Sequence, residues 1–106
     1  VYGQDGSFHT DLVHDGFYTF LYFPMPVWSL DWGGENIIHD EKVDEYIYTP
    51  PMPNTGVLFP SNYEHIGKGP TRKFPDIRVS IALIYCLDSC LQFLNSYEQD
   101  FKVIKL

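Results

Sequence analysis

An all-β fold is what this sequence predicts. Short runs rich in β-branched and aromatic residues recur about every 8–12 residues, as in a sandwich or barrel. Turn residues punctuate them, with eight Gly and eight Pro in 106 residues. Aromatics make up 17% of the chain and hydrophobic residues 44%, enough for one folded core and too much for disorder.

Taken in order, Tyr2 to Gln4 reads as a strand stub and Ser7 to Asp11 as a short polar strand. Gly16 to Phe23 (GFYTFLYF) carries the strongest strand signal, aromatic-rich and stopped at Pro24. Pro24 to Gly34 holds two Pro, two Trp and a Gly pair, and reads as an irregular loop. Glu35 to His39 and Glu45 to Tyr48 are strands, the second stopped by Pro50-Pro51. Asn54-Thr55-Gly56 is a turn, Val57 to Phe59 a short buried strand, and Glu64 to Gly67 a strand before Gly69-Pro70. Ile77 to Tyr85 (IRVSIALIY) is a long strand. Leu83, Leu87, Leu91, Leu94 and Tyr97 then recur at steps of four and three, which suits an amphipathic helix. This divides the chain into a β core over residues 1–85 and a helical tail over 86–106.

The formal charge is −7, the wrong sign for a surface that tracks phosphates, so nucleic acid is not an expected partner. The basic cluster Lys68 to Lys73 reads as a solvated loop. Cys86 and Cys90 have i, i+4 spacing, poor geometry for a mutual disulfide, and are read as reduced thiols of a cytoplasmic protein. No apolar run is long enough to span a membrane, no signal peptide is visible at Val1, and no membrane partner is expected.

His9 and Asp11 form a His-x-Asp pair. On a strand, residues two apart point the same way, so one imidazole and one carboxylate converge. A second His from a distant strand would complete a 2-His-1-carboxylate facial triad, which leaves open positions on Fe(II). His14 is too near in sequence. His39 precedes the acidic run Asp40-Glu41 and reads as solvated. His65 follows a buried run and precedes Gly67 and Gly69, where backbone can approach a ligand, and is the better choice. Arg78 stands in an otherwise apolar strand and needs a partner. A carboxylate held in a bidentate fork would serve, with the Ser80 hydroxyl on the same face. A structural salt bridge to Glu64 or Asp76 is the alternative.

The order HTD (9–11), YTFLYFP (18–24), WGGE (32–35), VLFPSNYEH (57–65) and RVS (78–80) resembles the Fe(II)/2-oxoglutarate-dependent dioxygenases, and within them the prolyl-4-hydroxylase-like branch. The likeness runs from about Tyr2 to Leu83. It implies a double-stranded β-helix, or jelly roll, with His9, Asp11 and His65 as iron ligands. It implies that Arg78, assisted by Ser80, binds the distal carboxylate of 2-oxoglutarate. Leu21 and Phe23 would line the cosubstrate pocket, and a tyrosine hydroxyl would come from Tyr18 or Tyr22, or be absent, since Phe23 stands where relatives place a tyrosine. The implied activity couples oxidative decarboxylation of 2-oxoglutarate, with O2, to hydroxylation of a C–H bond in a prolyl or similar residue. Peptide and small-molecule substrates both fit, and ascorbate is a candidate accessory reductant. Relatives carry helices and a first barrel strand ahead of the His-x-Asp strand, so the chain is expected to be a partial sequence. The alternatives are a cupin-like module that binds metal or ligand without turnover, and a structural domain in which the three ligands never meet.

Overall fold

The computed structural model describes residues 7–73, 76 and 78–90. They form an all-β architecture of two antiparallel three-stranded sheets. The strands are β1 (Phe17–Phe23), β2 (Asn36–Asp40), β3 (Glu45–Thr49), β4 (Thr55–Pro60), β5 (His65–Gly67) and β6 (Ile81–Cys86). One sheet has the order β4-β1-β6 and the other β3-β2-β5.

Side-chain alternation in β1 explains where the core lies. Phe17, Thr19, Leu21 and Phe23 are buried, while Tyr18, Phe20 and Tyr22 point to the other face. Thr19 pairs with Phe59 and Leu21 with Val57 across the β1–β4 ladder, so these share the inner face. From the other sheet Ile38 meets them, and Leu21, Phe23, Ile38 and Phe59 form one buried cluster with Val57 and Tyr63 against it. Four such side chains removed from water supply roughly 1.5–3 kcal/mol each, enough to fix which face of β1 and β2 turns inward.

Turn chemistry sets the β2–β3 hairpin and the crossing from β3 to β4. Asp44, at φ 52°, ends the turn between β2 and β3, and Asn54, at φ 56°, leads into β4. Both are residue types that tolerate the left-handed region. The expected loop at Pro24 to Gly34 contains a 3-10 turn, Leu30–Trp32, capped by Ser29, whose hydroxyl accepts from Asp31 N.

Three expectations are corrected. The strand at Ser7 to Asp11 reduces to an isolated bridge between His9 and His65. The strand expected from Ile77 begins in the ladder only at Ile81, so Arg78 and Ser80 precede it without ladder pairing. The strand expected to end at Tyr85 runs on to Cys86, so the first residue of the expected helical tail pairs with Phe17 in the ladder. The helix at Leu91 to Tyr97, the stub at Tyr2 to Gln4 and the tail beyond residue 90 lie outside the described residues. Cys86 and Cys90 are free thiols. Among the described residues no helix is long and apolar enough to cross a membrane.

Candidate metal centre

The segment carrying the His-x-Asp pair is held beside β5 by backbone hydrogen bonds. His9 and His65 exchange N–H···O bonds of 3.0 and 2.9 Å. Asp11 N donates to the Ser61 carbonyl at 3.0 Å, and the next residue, the buried Leu12, donates to the same carbonyl at 3.3 Å. Extended backbone then places His9 and Asp11 on one side, and the bridge sets His65 opposite them.

The three side chains converge. Asp11 Oδ1 lies 3.3 Å from His65 Nε2 and 3.6 Å from His9 Nε2. The imidazole centroids are 4.5 Å apart. All three ligand atoms lie within 4.8 Å of one another. Ligands at right angles around an octahedral cation, each about 2.1 Å from it, stand roughly 3 Å apart, so small closures would suffice. The reading in which these side chains never meet is thereby excluded.

The hydrogen bonds behind the ligands determine which atoms are offered. His65 Nδ1 is 3.0 Å from the Tyr63 carbonyl, and His9 Nδ1 is 2.7 Å from the Ser7 carbonyl. A carbonyl only accepts, so each Nδ1 carries the proton and each Nε2 lone pair is directed at the centre. Asp11 is oriented in the same way. The Thr19 hydroxyl donates to Asp11 Oδ2 at 2.7 Å, leaving Oδ1 for the imidazoles, and Thr19 Oγ1 also pairs with Ser61 Oγ at 2.8 Å. Such outer contacts fix ligand orientation and tautomer in metal sites.

Electrostatics follow from this packing. Burial tends to raise the Asp11 pKa, but hydrogen bonds to His65 and Thr19 outweigh it and hold the carboxyl below its ordinary value. Burial tends to lower the His65 pKa, but bonding to Asp11 and to the Tyr63 carbonyl leaves it raised. The pair therefore favours a proton between Nε2 and Oδ1, the place a cation would take by displacement. His65 is 5% exposed and packs edge-on to Phe59, with ring centroids 4.8 Å apart. The His9 side chain is half exposed, so the centre sits at a mouth rather than deep inside.

Arg78 lies elsewhere on the inner side. Its guanidinium carbon is 5.7 Å from the centroid of the buried Phe23 ring. Gly34, at φ 74°, makes room for it, because a Cβ there would come within 2.9 Å of Arg78 Cδ and 2.8 Å of Trp28. Arg78 Nε and Nη2 are buried without a hydrogen-bond partner. Burial pulls its pKa down, partly offset by the charge of Glu35. A salt bridge from these nitrogens to Glu64 or Asp76 is therefore not formed. Ser80 is exposed.

Leu21 is buried on the inner face as expected, beside Phe23. Tyr22 is a correction: alternation turns it to the outer face, where its hydroxyl donates to Asn54 Oδ1 at 2.7 Å. Tyr18 faces outward too, so neither tyrosine supplies a hydroxyl to the inner side. Sequence reasoning missed Thr19 and Ser61. The signal was there for Thr19, a polar residue in phase with Phe17, Leu21 and Phe23. His39, expected to be solvated, is half-buried, with Nε2 2.9 Å from Asp44 Oδ1.

No protein-family model, no curated protein and no solved structure matches this chain.

Proposed function

We propose that the chain carries the core of an Fe(II)- and 2-oxoglutarate-dependent oxygenase that hydroxylates a C–H bond, with a prolyl or similar residue as the favoured substrate. The observation that carries this is the pair of imidazoles whose Nδ1 protons are both committed to backbone carbonyls, so that two Nε2 atoms and Asp11 Oδ1 face one point. Two neutral imidazoles and one carboxylate suit a divalent first-row metal, and three ligands on one side leave positions for cosubstrate and O2. The two facing sheets, with the His9 bridge placing a further strand position beside β5, support a jelly roll as the finer description of the fold.

In this reading His9, Asp11 and His65 hold the iron, and Thr19 keeps the carboxylate aligned. Bound iron supplies the O2-activating redox chemistry. The protein orients the reactants and limits solvent access. Arg78 presents two buried donors that need an anionic acceptor, and the far carboxylate of 2-oxoglutarate is one of suitable charge. Phe23, under the Arg78 guanidinium, and Phe59, against His65, belong to one apolar cluster with Leu21.

The test is succinate release from 2-oxoglutarate in the presence of Fe(II), O2 and prolyl peptides. Turnover that disappears in Asp11→Ala supports the assignment. Turnover unchanged in that variant defeats it. Tight metal binding with no decarboxylation under any substrate would favour the non-catalytic cupin-like module.

A further inference from the structure

The inner face of β2 carries a polar group that the proposed chemistry has not used. Asn36 is 5% exposed, and its Nδ2 has no hydrogen-bond partner. A buried donor left unmade is costly, and few survive in a folded protein without a reason. The sequence points inward at this position for a plain reason: Asn36 alternates with Ile38, a member of the core cluster.

Its neighbours place it on the side of Arg78. Two residues before it, Gly34 lies against the Arg78 side chain. Two residues after it, Ile38 packs in the same cluster as Phe23, over whose ring the guanidinium sits. Across the ladder Asn36 faces Gly67, and Ile38 faces His65. Asn36 is thus one inward position, about 7 Å of strand, beyond the residue opposite the candidate ligand His65. A Cβ on Gly67 would meet Asn36 Oδ1 at 3.2 Å, so the missing side chain gives the amide its room. Three buried donors on this inner side, Asn36 Nδ2, Arg78 Nε and Arg78 Nη2, all lack an acceptor. A single carboxylate offers about four lone-pair sites and could take all three.

We infer that Asn36 is a second binding residue for the distal carboxylate of a dicarboxylic 2-oxo acid, acting beside Arg78 and selecting against oxo acids that lack that carboxylate. The inference rests on the cosubstrate reading above and adds the residue that sharpens its selectivity. Asn36 donates from its amide, and Arg78 supplies the charge. The apolar ring of Phe23 beneath the guanidinium keeps water from competing there.

The experiment measures binding of 2-oxoglutarate and of 2-oxobutanoate, which has no distal carboxylate, to Mn(II)-loaded protein by calorimetry. Asn36→Leu should weaken 2-oxoglutarate by roughly tenfold or more, the effect of one hydrogen bond to a charged group. It should leave 2-oxobutanoate and Mn(II) binding unchanged. Asn36→Thr, which keeps a donor and suits a strand, should recover part of the loss. The metal-free Asn36→Leu protein should unfold no earlier than the parent, since an unpaired donor has been removed. Equal 2-oxoglutarate affinity in Asn36→Leu and the parent overturns the inference. So does an earlier unfolding transition with parallel loss of both oxo acids, which marks a structural role. If the parent itself fails to bind 2-oxoglutarate, the cosubstrate reading falls first, a result distinct from either.

Discussion

Among the described residues, two groups of histidine and carboxylate lie on the β3-β2-β5 side of the molecule, and they differ in how their ligand atoms are held. In the first, His9, Asp11 and His65, each imidazole is tethered through Nδ1 to a backbone carbonyl, and the Asp11 carboxylate is tethered through Oδ2 to Thr19. The second, His39, Glu41 and Glu64, has ligand atoms equally close together. There, however, His39 Nε2 is already engaged by Asp44, the ring stacks on Tyr46 with centroids 4.4 Å apart, and both glutamates are exposed. Proximity is common to both groups. What separates them is whether the atoms behind the ligands have been committed, so that the ligand atoms in front are aimed at one another and at one point. A loose acidic cluster in water loses side-chain entropy on closing around an ion, whereas the tethered one has already lost it in folding.

The largest effect that could break this contrast comes from Asp11→Ala. It should lower Mn(II) affinity by roughly 100-fold or more, measured by calorimetry, because it removes the anionic ligand between two imidazoles. Affinity that survives Asp11→Ala but drops in His39→Gln would reverse the comparison. Next, Arg78→Met should cost 2-oxoglutarate roughly 30-fold or more in affinity, with metal binding untouched. In the metal-free, ligand-free protein the same change should raise the unfolding midpoint, because two unpaired buried donors are exchanged for apolar packing. A lowered midpoint with unchanged 2-oxoglutarate binding would mean that Arg78 is structural.

Thr19→Val tests the tethering argument itself. The side chain is nearly isosteric, yet Asp11 Oδ2 and Ser61 Oγ both lose a partner. Metal affinity should fall by roughly 10- to 100-fold, and the metal-free protein should lose about 1–3 kcal/mol of stability in urea unfolding. Unchanged metal affinity would show that proximity alone is enough. The smallest effect is expected for His39→Gln: metal affinity within about twofold, and a stability change below about 1 kcal/mol, since its partner Asp44 is exposed.

Much of the β architecture could be read from side-chain order. The alternation in FYTFLYF marks an inner face, and β1 to β5 fall close to where periodicity and turn residues place them. The misses share a cause. Ile77 to Tyr85 is continuous in β propensity, but ladder pairing is decided by the partner: β1 engages this segment only from Ile81, opposite Tyr22. Tyr22 carries the hydroxyl that a pocket would want, yet hydrophobic demand for Leu21 and Phe23 on the inner face sends it outward. The two outward tyrosines, with Phe20, Leu58 and Tyr85, leave an apolar outer face that the sequence does not distinguish from core.

Within the site, the sequence by itself determined that His9 and Asp11 share a side, because extended backbone alternates, and that the inner face of β1 is apolar apart from Thr19. It could not determine which nitrogen the distant imidazole offers, or that Thr19 and Asn36, both turned inward, have opposite fates, one bonded and one unpaired. Those outcomes depend on contacts between residues far apart in the chain. Local periodicity carries no information on such contacts, and only the meeting of the two sheets decides them.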